Sequence, residues 1–201
     1  MSLYKVAKYV VASIFFPLFR INVIGKEKIP QEGPVIICSN HISNLDPPVV
    51  GITSPRDIYF MAKGELFEKR FLGKLLTAIH AFPVKRGISD RSALRKGLKI
   101  LKNNETLGLF PEGTRSKTGE LGQPLAGAGF FALRSNAVII PCAILGPYKA
   151  WKKLTVVYGE PIDMEYYRNT KASAKEAAEA IMTEIKILKE KHQSETALLD
   201  K

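Results

Sequence analysis

The stretch "VIICSNHISNLDPP", residues 35–48, joins an apolar, β-branched run to a histidine and to an acid that precedes two prolines. Residues 35–39 predict a buried strand, because continuous apolar runs of this kind are typical of strands covered on both faces. Asp46 precedes Pro47, and this pair predicts a helix that begins at Pro47 with Asp46 as its N-cap. We therefore expect a strand, a short loop that carries His41, and then a helix.

The same alternation of apolar runs and helical patterns continues along the chain, without repeats. It predicts a single α/β domain with a mostly parallel, mixed sheet flanked by helices. Pro141 interrupts one run, so we expect that strand at a sheet edge or next to a bulge. Strands are predicted at 35–39, 57–62, 81–84, 106–110, 137–145 and 154–159, and helices at 47–53, 65–78, 89–103, 125–135 and 174–191.

The N-terminal segment, residues 1–24, carries an apolar run from Tyr9 to Phe19 with lysines before it. This run is too short to span a bilayer, which takes about 20 residues. We predict an amphipathic helix that lies in the membrane surface; a helix that docks on the domain is the alternative, and one helix can do both. The chain is then divided into this segment, a folded domain over residues 25–192 that carries the motifs described below, and a tail over 193–201.

The charge of the chain is unusual, because 30 Lys and Arg against 19 Asp and Glu give a net charge of +11 over 201 residues. Such an excess favours an anionic partner, namely a phospholipid surface, nucleic acid or a phosphorylated substrate; the alternative is an inert basic surface. Cys38 and Cys142 both lie in apolar runs. That position indicates buried thiols in a reducing compartment and disfavours Cys38 as a nucleophile.

His41 and Asp46 are the first candidate site residues. On a regular helix two side chains five residues apart would point apart, but a loop before Pro47 can fold back and bring the carboxylate to the imidazole. A carboxylate on one ring nitrogen fixes the tautomer and raises the basicity of the other, which can then take a proton from a substrate hydroxyl. The alternatives are a structural histidine and an aspartate that only caps its helix.

The second candidate is "FPEGTRS", residues 110–116, which directly follows a predicted strand. Gly113 lets the backbone approach a ligand, Arg115 can bind a phosphate with its two-pronged guanidinium, and Thr114 adds a hydroxyl. Glu112 is an acid at a strand end, where it needs hydrogen-bond partners. The alternative is a plain turn with a solvated arginine.

The third candidate, "FPVKRG" at residues 82–87, ends a strand with Lys85 and Arg86. These two cations are either a solvated pair or a second phosphate contact. Ligands of parallel sheets gather at the carboxyl ends of the strands, so all of these pieces can meet at one edge. Basic groups beside a His–Asp pair indicate a phosphorylated alcohol as the substrate.

The chain resembles the glycerolipid acyltransferases, most closely the short 1-acylglycerol-3-phosphate (lysophosphatidic acid) acyltransferases, over roughly residues 25–160. Four family motifs occur in the family's order. They are NHxxxxD at Asn40, His41 and Asp46, an arginine after a strand at Arg86, FPEGTRS at 110–116, and an apolar strand with a central proline at 138–141. The stretch "MAKGELF" with Lys63 is similar to a lysine-containing segment that the family often shows.

The resemblance implies an enzyme that moves a fatty acyl group from a thioester to the free hydroxyl of 1-acylglycerol 3-phosphate, which gives phosphatidic acid in phospholipid biosynthesis. His41 would deprotonate that hydroxyl, and Asp46 would orient the ring and stabilise the imidazolium. The oxyanion donors would be backbone amides near Gly113, or Lys63. The implied substrate-binding residues are Asn40, Lys63, Arg86, Glu112, Gly113, Thr114 and Arg115, with both arginines on the phosphate and Glu112 on a glycerol hydroxyl.

The resemblance also implies the partners: lysophosphatidic acid, acyl-CoA or acyl-acyl carrier protein as the donor, and an anionic membrane surface, with no nucleic acid. It requires no metal or redox cofactor. It places the protein at the cell membrane, peripheral or monotopic on the cytoplasmic face. Two alternatives stay open: a family member with another acceptor, such as glycerol 3-phosphate or another lysophospholipid, and a non-catalytic basic module that binds anionic lipid or nucleic acid.

Overall fold

The structure, a computed structural model, describes residues 2–85 and 90–199. These residues form one sheet with helices on both faces, which confirms the predicted α/β fold. The strands are β1 Asn22–Ile24, β2 Val35–Ser39, β3 Ile58–Lys63, β4 Ala81–Val84, β5 Thr106–Leu109, β6 Val138–Leu145 and β7 Thr155–Tyr158. The helices are α1 Leu3–Leu18, α2 Asp46–Thr53, α3 Glu65–Glu68, α4 Arg70–Ala78, α5 Arg91–Lys102, α6 Gly127–Arg134, α7 Glu165–Asn169 and α8 Ala174–Leu199.

The sheet is mostly parallel, as predicted, with strand order β1-β7-β6-β2-β5-β3-β4. The strands β6, β2, β5, β3 and β4 run in one direction, while β7 is antiparallel to β6 and carries β1 with it. Strand β2 lies between β5 and β6, and all five of its residues are buried, which is why its sequence is an unbroken apolar run up to Ser39. The carboxyl ends of the five parallel strands therefore share one edge, called the rim below.

Each face of the sheet has its own apolar core. Alternate residues of β2 point to opposite faces, so Ile36 packs with residues of α5, α6 and α8, whereas Ile37 packs with residues of α2. Helix α8 approaches α6 closely at Gly129, where any side chain would collide with the backbone carbonyl of Ala174. Helices α1 and α2 thus cover one face, and α5, α6 and α8 cover the other.

Several elements differ in extent from the prediction. Helix α2 begins at Asp46, one residue earlier than predicted, and Leu45 occupies the N-cap position. Helix α8 continues to Leu199, beyond the predicted end near residue 191. The short elements β1 and α7 were not predicted, because three and five residues are too few to show a periodic pattern. The division of the chain at residues 24 and 192 stays a prediction.

Pro141 lies inside the sheet, so its predicted edge position is wrong. It sits in β6, which pairs with β2 on one side and with β7 on the other. Between the pairs Cys142–Tyr158 and Ile139–Ile162 the β7 side has one residue more than β6, which is a bulge. The bulge alternative therefore holds, since the ladder is irregular at the point where proline has no N–H to donate.

Helix α1 both docks on the domain and exposes apolar side chains. Tyr4, in its first turn, and Phe19, just past its end, are each 7% exposed, and the Tyr4 hydroxyl accepts a hydrogen bond from Ile58 N at 2.9 Å. The Lys8 ammonium donates to Ser54 O at 2.8 Å. The exposed side carries a row of apolar residues: Leu3, Val6, Tyr9, Val10, Ile14 and Phe16. Among the described residues, no helix has the length and hydrophobicity that a membrane crossing requires.

Candidate active site

The rim collects the predicted polar segments, as expected for a parallel sheet. The loop 40–46 follows β2, the segment 110–125 follows β5, Lys63 is the last residue of β3, and Lys85 follows β4. These strands are neighbours in the sheet, so their ends lie side by side. Arg86, the predicted second phosphate ligand, lies outside the described residues.

His41, in the loop after β2, is in direct contact with Asp46, the first residue of α2. The His41 Nδ1 atom lies 2.7 Å from Asp46 Oδ2, and the two residues are 8% and 0% exposed. The same carboxylate oxygen accepts hydrogen bonds from Ile42 N at 2.6 Å and Ser43 N at 2.7 Å. The predicted fold-back of the loop is therefore confirmed. The predicted capping role of Asp46 is wrong, because Leu45 occupies the N-cap position and the partners of the Asp46 carboxylate lie outside α2.

The tautomer of His41 follows from these contacts. An ionised carboxylate only accepts hydrogen bonds, so the proton of the neutral ring lies on Nδ1 and Nε2 carries the free lone pair. No hydrogen bond joins Nε2 to any residue in the part of the chain that the structure describes. The ring stacks on Phe110, with 4.2 Å between the two centroids. The imidazole is thus fixed on one side and on one face, and its basic nitrogen remains available to a ligand.

Tyr148 is a site residue that the sequence reasoning missed. Its hydroxyl donates to Asp46 Oδ1 at 2.6 Å, so both oxygens of the carboxylate have partners. Burial, and next the charge of Asp46, raise the pKa of Tyr148 above its ordinary value, which keeps the hydroxyl protonated as a donor. The ring packs edge-on against Phe19, with centroids 5.6 Å apart. The signal that could have identified Tyr148 is its place in the sequence, three residues after the end of a predicted strand.

We expect Tyr148→Phe to lower kcat about tenfold with little change in KM for the acceptor. A hydrogen bond to a charged group contributes about 1.5–3 kcal/mol. Removing the bond from Tyr148 therefore leaves Asp46 less firmly held and slows the reaction, while the groups that bind the acceptor are unchanged. Steady-state kinetics with varied acceptor measure the two constants. A rise in KM alone, or unchanged kinetics, would contradict this positioning role. The phenylalanine keeps the packing against Phe19, so thermal unfolding serves as the control for the fold.

Glu112 connects the two loops of the site. Its Oε1 accepts from His41 N at 3.0 Å and its Oε2 accepts from Gly122 N at 2.9 Å, and the residue is 6% exposed. Ser116 N donates to His41 O at 2.8 Å, which is a second link between the loops. Glu112 therefore positions the backbone of His41. Its contact with a glycerol hydroxyl stays a prediction that its remaining lone pairs permit.

Asn40 also has a positioning role. Its side-chain amide donates to Ile144 O at 3.1 Å and its carbonyl accepts from Ile144 N at 2.7 Å. The residue is 1% exposed. This paired contact ties the end of β2 to β6 directly before His41. Its predicted contact with substrate stays a prediction, which the burial of both polar atoms disfavours.

A cavity of about 390 Å³ lies at the rim beside the loop that carries His41. Its lining consists of Ile42, Thr114, Arg115, Ser116 and Lys117. It combines two cationic side chains with two hydroxyls, which is the chemistry that binds a phosphate. Since Ile42 directly follows His41 and Ser116 N donates to His41 O, the cavity lies next to the loop that carries the imidazole.

The turn at Gly113 shapes this loop. Its φ is +65°, a conformation that glycine adopts at little cost, and a side chain there would collide with Leu125. Its own N–H donates to Phe110 O at 2.9 Å, so that amide is not a free oxyanion donor. Lys63 lies at the end of β3 with its ammonium 3.2 Å from Glu65 Oε1, and its side chain is half exposed.

Cys38 and His80 do not belong to the candidate catalytic pair. Cys38 is 0% exposed, and burial raises the pKa of its thiol, so it is not a nucleophile. The ring of His80 stacks between Tyr4 and Tyr59, each at 4.4 Å between centroids, which is a structural role. Within the ranges 2–85 and 90–199, no three His, Cys, Asp or Glu side chains are grouped as metal ligands would be.

Comparisons with known proteins identify relatives. The family model described as "Acyltransferase" matches residues 20–145. A 1-acyl-sn-glycerol-3-phosphate acyltransferase of Bacillus subtilis is 32% identical over 179 residues, which are 85% of this chain and 89% of the relative. The enzyme of the same name from Borreliella burgdorferi is 30% identical over 66% of this chain and 54% of its own. The chloroplastic LPAT1 of Arabidopsis thaliana is 30% identical, and the match covers 72% of this chain and 41% of that protein.

A solved structure shares the fold. It is the 1-acyl-sn-glycerophosphate (LPA) acyltransferase of Thermotoga maritima, with a TM-score of 0.74 and 24% sequence identity. The superposition covers 92% of this chain and 79% of the Thermotoga chain. The helices and the mixed sheet described above are therefore an arrangement that an experimental structure also contains.

Proposed function

The chain belongs to the acyltransferase family whose model it matches, and we propose that it transfers a fatty acyl group from a thioester to 1-acylglycerol 3-phosphate. The product is phosphatidic acid. The observation that carries this proposal is that a carboxylate-bound imidazole, His41, lies at the same rim as a cationic cavity whose lining begins with the next residue, Ile42. The Bacillus relative, named for this reaction and matched over most of both lengths, supports the choice of acceptor.

The chemistry follows from the free nitrogen of His41. The acceptor hydroxyl gives its proton to Nε2 while its oxygen attacks the thioester carbonyl. Asp46, 2.7 Å from Nδ1, stabilises the imidazolium that forms. When the tetrahedral intermediate collapses, the C–S bond breaks and the leaving thiolate takes the proton back from Nε2. One imidazole therefore serves as base and then as acid, and no side-chain nucleophile is needed.

The cavity would bind the phosphate of the acceptor. Arg115 and Lys117 supply positive charge, and Thr114 and Ser116 supply hydroxyl donors. Ser116 donates its N–H to His41 O, so a phosphate bound there would lie next to the loop that carries His41. Arg86 follows the end of β4 in the sequence, and its predicted role as a second phosphate ligand stays part of this proposal.

Lys63 is our candidate for stabilising the oxyanion. It lies at the rim end of β3, which is the neighbour of β5, and its exposed ammonium carries the required charge. The Gly113 amide itself is already bonded within its turn, so the other backbone amides near Gly113 stay the alternative to Lys63. The mechanism uses no metal or redox cofactor, and acyl-CoA or acyl-acyl carrier protein enters as a substrate.

An acyl-transfer assay tests the proposed function and its alternatives. Purified protein is supplied with acyl-CoA or acyl-acyl carrier protein and with lysophosphatidic acid, glycerol 3-phosphate or lysophosphatidylcholine. We expect thiol release and phosphatidic acid only with lysophosphatidic acid. Preference for another acceptor would indicate a different member of the family, and no thiol release with any combination would indicate a non-catalytic lipid-binding module. Cys38 and Cys142 are fully buried, so they add little to a thiol-detection signal.

We also propose that the exposed apolar row of α1 lies in the membrane interface, on the cytoplasmic face of the cell membrane. Deleting α1 would expose the core that Tyr4 and Phe19 cover, so surface substitutions are the better test. Val6 and Val10 are 38% and 53% exposed. We expect Val6→Asp/Val10→Asp to lower vesicle co-sedimentation by more than tenfold, because charge is costly in the interface. Undiminished binding would contradict an interfacial role.

A matched control comes from the opposite face of the sheet. Ile187 in α8 is 52% exposed, and Ile187→Asp introduces the same kind of charge on the face that α1 does not cover. We expect this variant to bind vesicles as the unchanged protein does. Circular dichroism of both variants checks that the fold is intact.

A further inference from the structure

We propose that the loop 146–153, which connects β6 to β7, is a second lipid-binding surface that docks the rim onto anionic membranes. This inference rests on the membrane association proposed above and adds a site to it. The loop has the sequence "GPYKAWKK", with three lysines, an exposed tryptophan and no acidic residue. Anionic headgroups attract lysines near the membrane surface, and tryptophan is enriched where bilayer and water meet.

Trp151 is held in an unfavourable, outward position. It is 69% exposed, although a tryptophan usually buries most of its large apolar surface. Its φ is +63°, a conformation that is strained for a bulky residue. Its N–H donates to Leu18 O at 2.7 Å, which fixes the loop to the end of α1. A strained and exposed aromatic residue at a fixed position is a surface prepared for a partner.

The charge around Trp151 selects the partner. Lys149, Lys152 and Lys153 are exposed beside it, and Arg20 is exposed just beyond the end of α1. None of these four cations is in an ion pair with a described residue. A bilayer with anionic headgroups satisfies both the basic and the apolar part of this surface.

The position of the loop explains what docking would achieve. The loop leaves the rim at the end of β6, and its Tyr148 donates to the catalytic carboxylate of Asp46. At its other side the loop is bonded to α1, whose apolar row is proposed to lie in the same interface. A membrane that contacts Trp151 would therefore lie next to the rim, where a lipid acceptor has to enter.

The intrinsic fluorescence of the protein tests this proposal directly, because Trp151 is the single tryptophan of the chain. We expect its emission to shift to shorter wavelength when the full chain binds vesicles of phosphatidylcholine mixed with an equal amount of phosphatidylglycerol. The shift should be much smaller with phosphatidylcholine alone. Unchanged emission while the protein co-sediments with the vesicles would mean that α1 alone binds them, and would overturn the proposal.

Substitutions provide the second arm of the experiment. We expect Lys152→Gln/Lys153→Gln to weaken binding to the anionic vesicles about tenfold or more, since each lysine near the surface contributes to it. Lys175→Gln/Lys186→Gln in α8 removes the same charge on the opposite face and should leave binding unchanged. Equal losses from both pairs would mean that only net charge matters, which would also overturn the proposal.

Trp151→Gly separates lipid binding from folding. Glycine tolerates the positive φ, so this variant should unfold at an unchanged or higher temperature while it binds vesicles several-fold more weakly. Acyl transfer to a water-soluble short-chain acceptor should stay normal in the loop variants. If the unchanged protein lacks this activity, the proposed function is disproved and the docking surface is not. If the Trp151 emission wavelength does not change when the protein binds vesicles, only the docking surface is disproved.

Discussion

Replacing His41 by alanine is expected to lower acyl transfer to lysophosphatidic acid by about a thousandfold or more, which is in the range attributed to a general base. The expectation rests on geometry: Asp46 holds Nδ1, and the described residues that line the cavity include no carboxylate and no second imidazole. Single-turnover thiol release measures the effect. Binding to anionic vesicles should persist, because the loop 146–153 and α1 are unchanged.

The control for this substitution is the fold around the missing ring. The imidazole stacks on Phe110 and covers Asp46, so His41→Ala removes packing as well as a base. His41→Asn keeps a donor for the carboxylate and should be equally inactive, while its unfolding temperature stays closer to that of the unchanged protein. Near-normal transfer by either variant would show that the mechanism is wrong and would favour a non-catalytic lipid-binding module.

The fold was predictable because its core strands are short, continuous runs of apolar residues in the sequence. Strand β2, for example, is buried over its whole length, and its sequence is accordingly an uninterrupted apolar run. Because predicted strands and helices alternate along the chain, we expected a parallel sheet whose strands end at one shared rim. The direction of each strand could not be predicted in the same way. The sequence of β7 resembles those of the parallel strands, although β7 is antiparallel to β6, because a strand buried on both faces has the same composition in either orientation.

The site was predictable where local sequence determines it. The loop from His41 to Asp46 closes on itself, so the pair could be inferred from spacing and from the proline that follows. Partners from distant segments were not visible. Tyr148 donates to the carboxylate of Asp46, 102 positions away in the sequence, and Asn40 bonds to Ile144 of the neighbouring strand β6. Only the folded sheet reveals that such residues share the rim.

The N-terminal helix shows why a pattern can leave two interpretations open. Interfacial and docked helices both need an apolar face, and α1 has apolar residues almost all round. The structure assigns one side to the domain, through Tyr4, and leaves the other exposed. Sequence periodicity alone could not divide these residues, because both sides are hydrophobic and Lys8, one of the two lysines of the helix, turns inward to Ser54.

Asp46→Asn is expected to lower kcat by about two to four orders of magnitude while it leaves the loop closed. The carboxylate Oδ2 accepts from His41, Ile42 and Ser43, so the asparagine carbonyl should take that place. Its NH2 group would then face Tyr148, whose hydroxyl can rotate to accept. The variant therefore keeps the tautomer of His41 and loses the negative charge that stabilises the imidazolium. Steady-state kinetics and thermal unfolding measure the two consequences separately.

The double variant His41→Ala/Asp46→Asn shows whether Asp46 acts through the imidazole. If its charge serves only to orient and stabilise His41, removing it from a protein that already lacks the ring should cost nothing further in rate. We expect the double variant to be no slower than His41→Ala alone. A further loss as large as that of Asp46→Asn by itself would mean that the carboxylate supports the site independently, through the backbone of Ile42 and Ser43, and would remove it from the proton transfer.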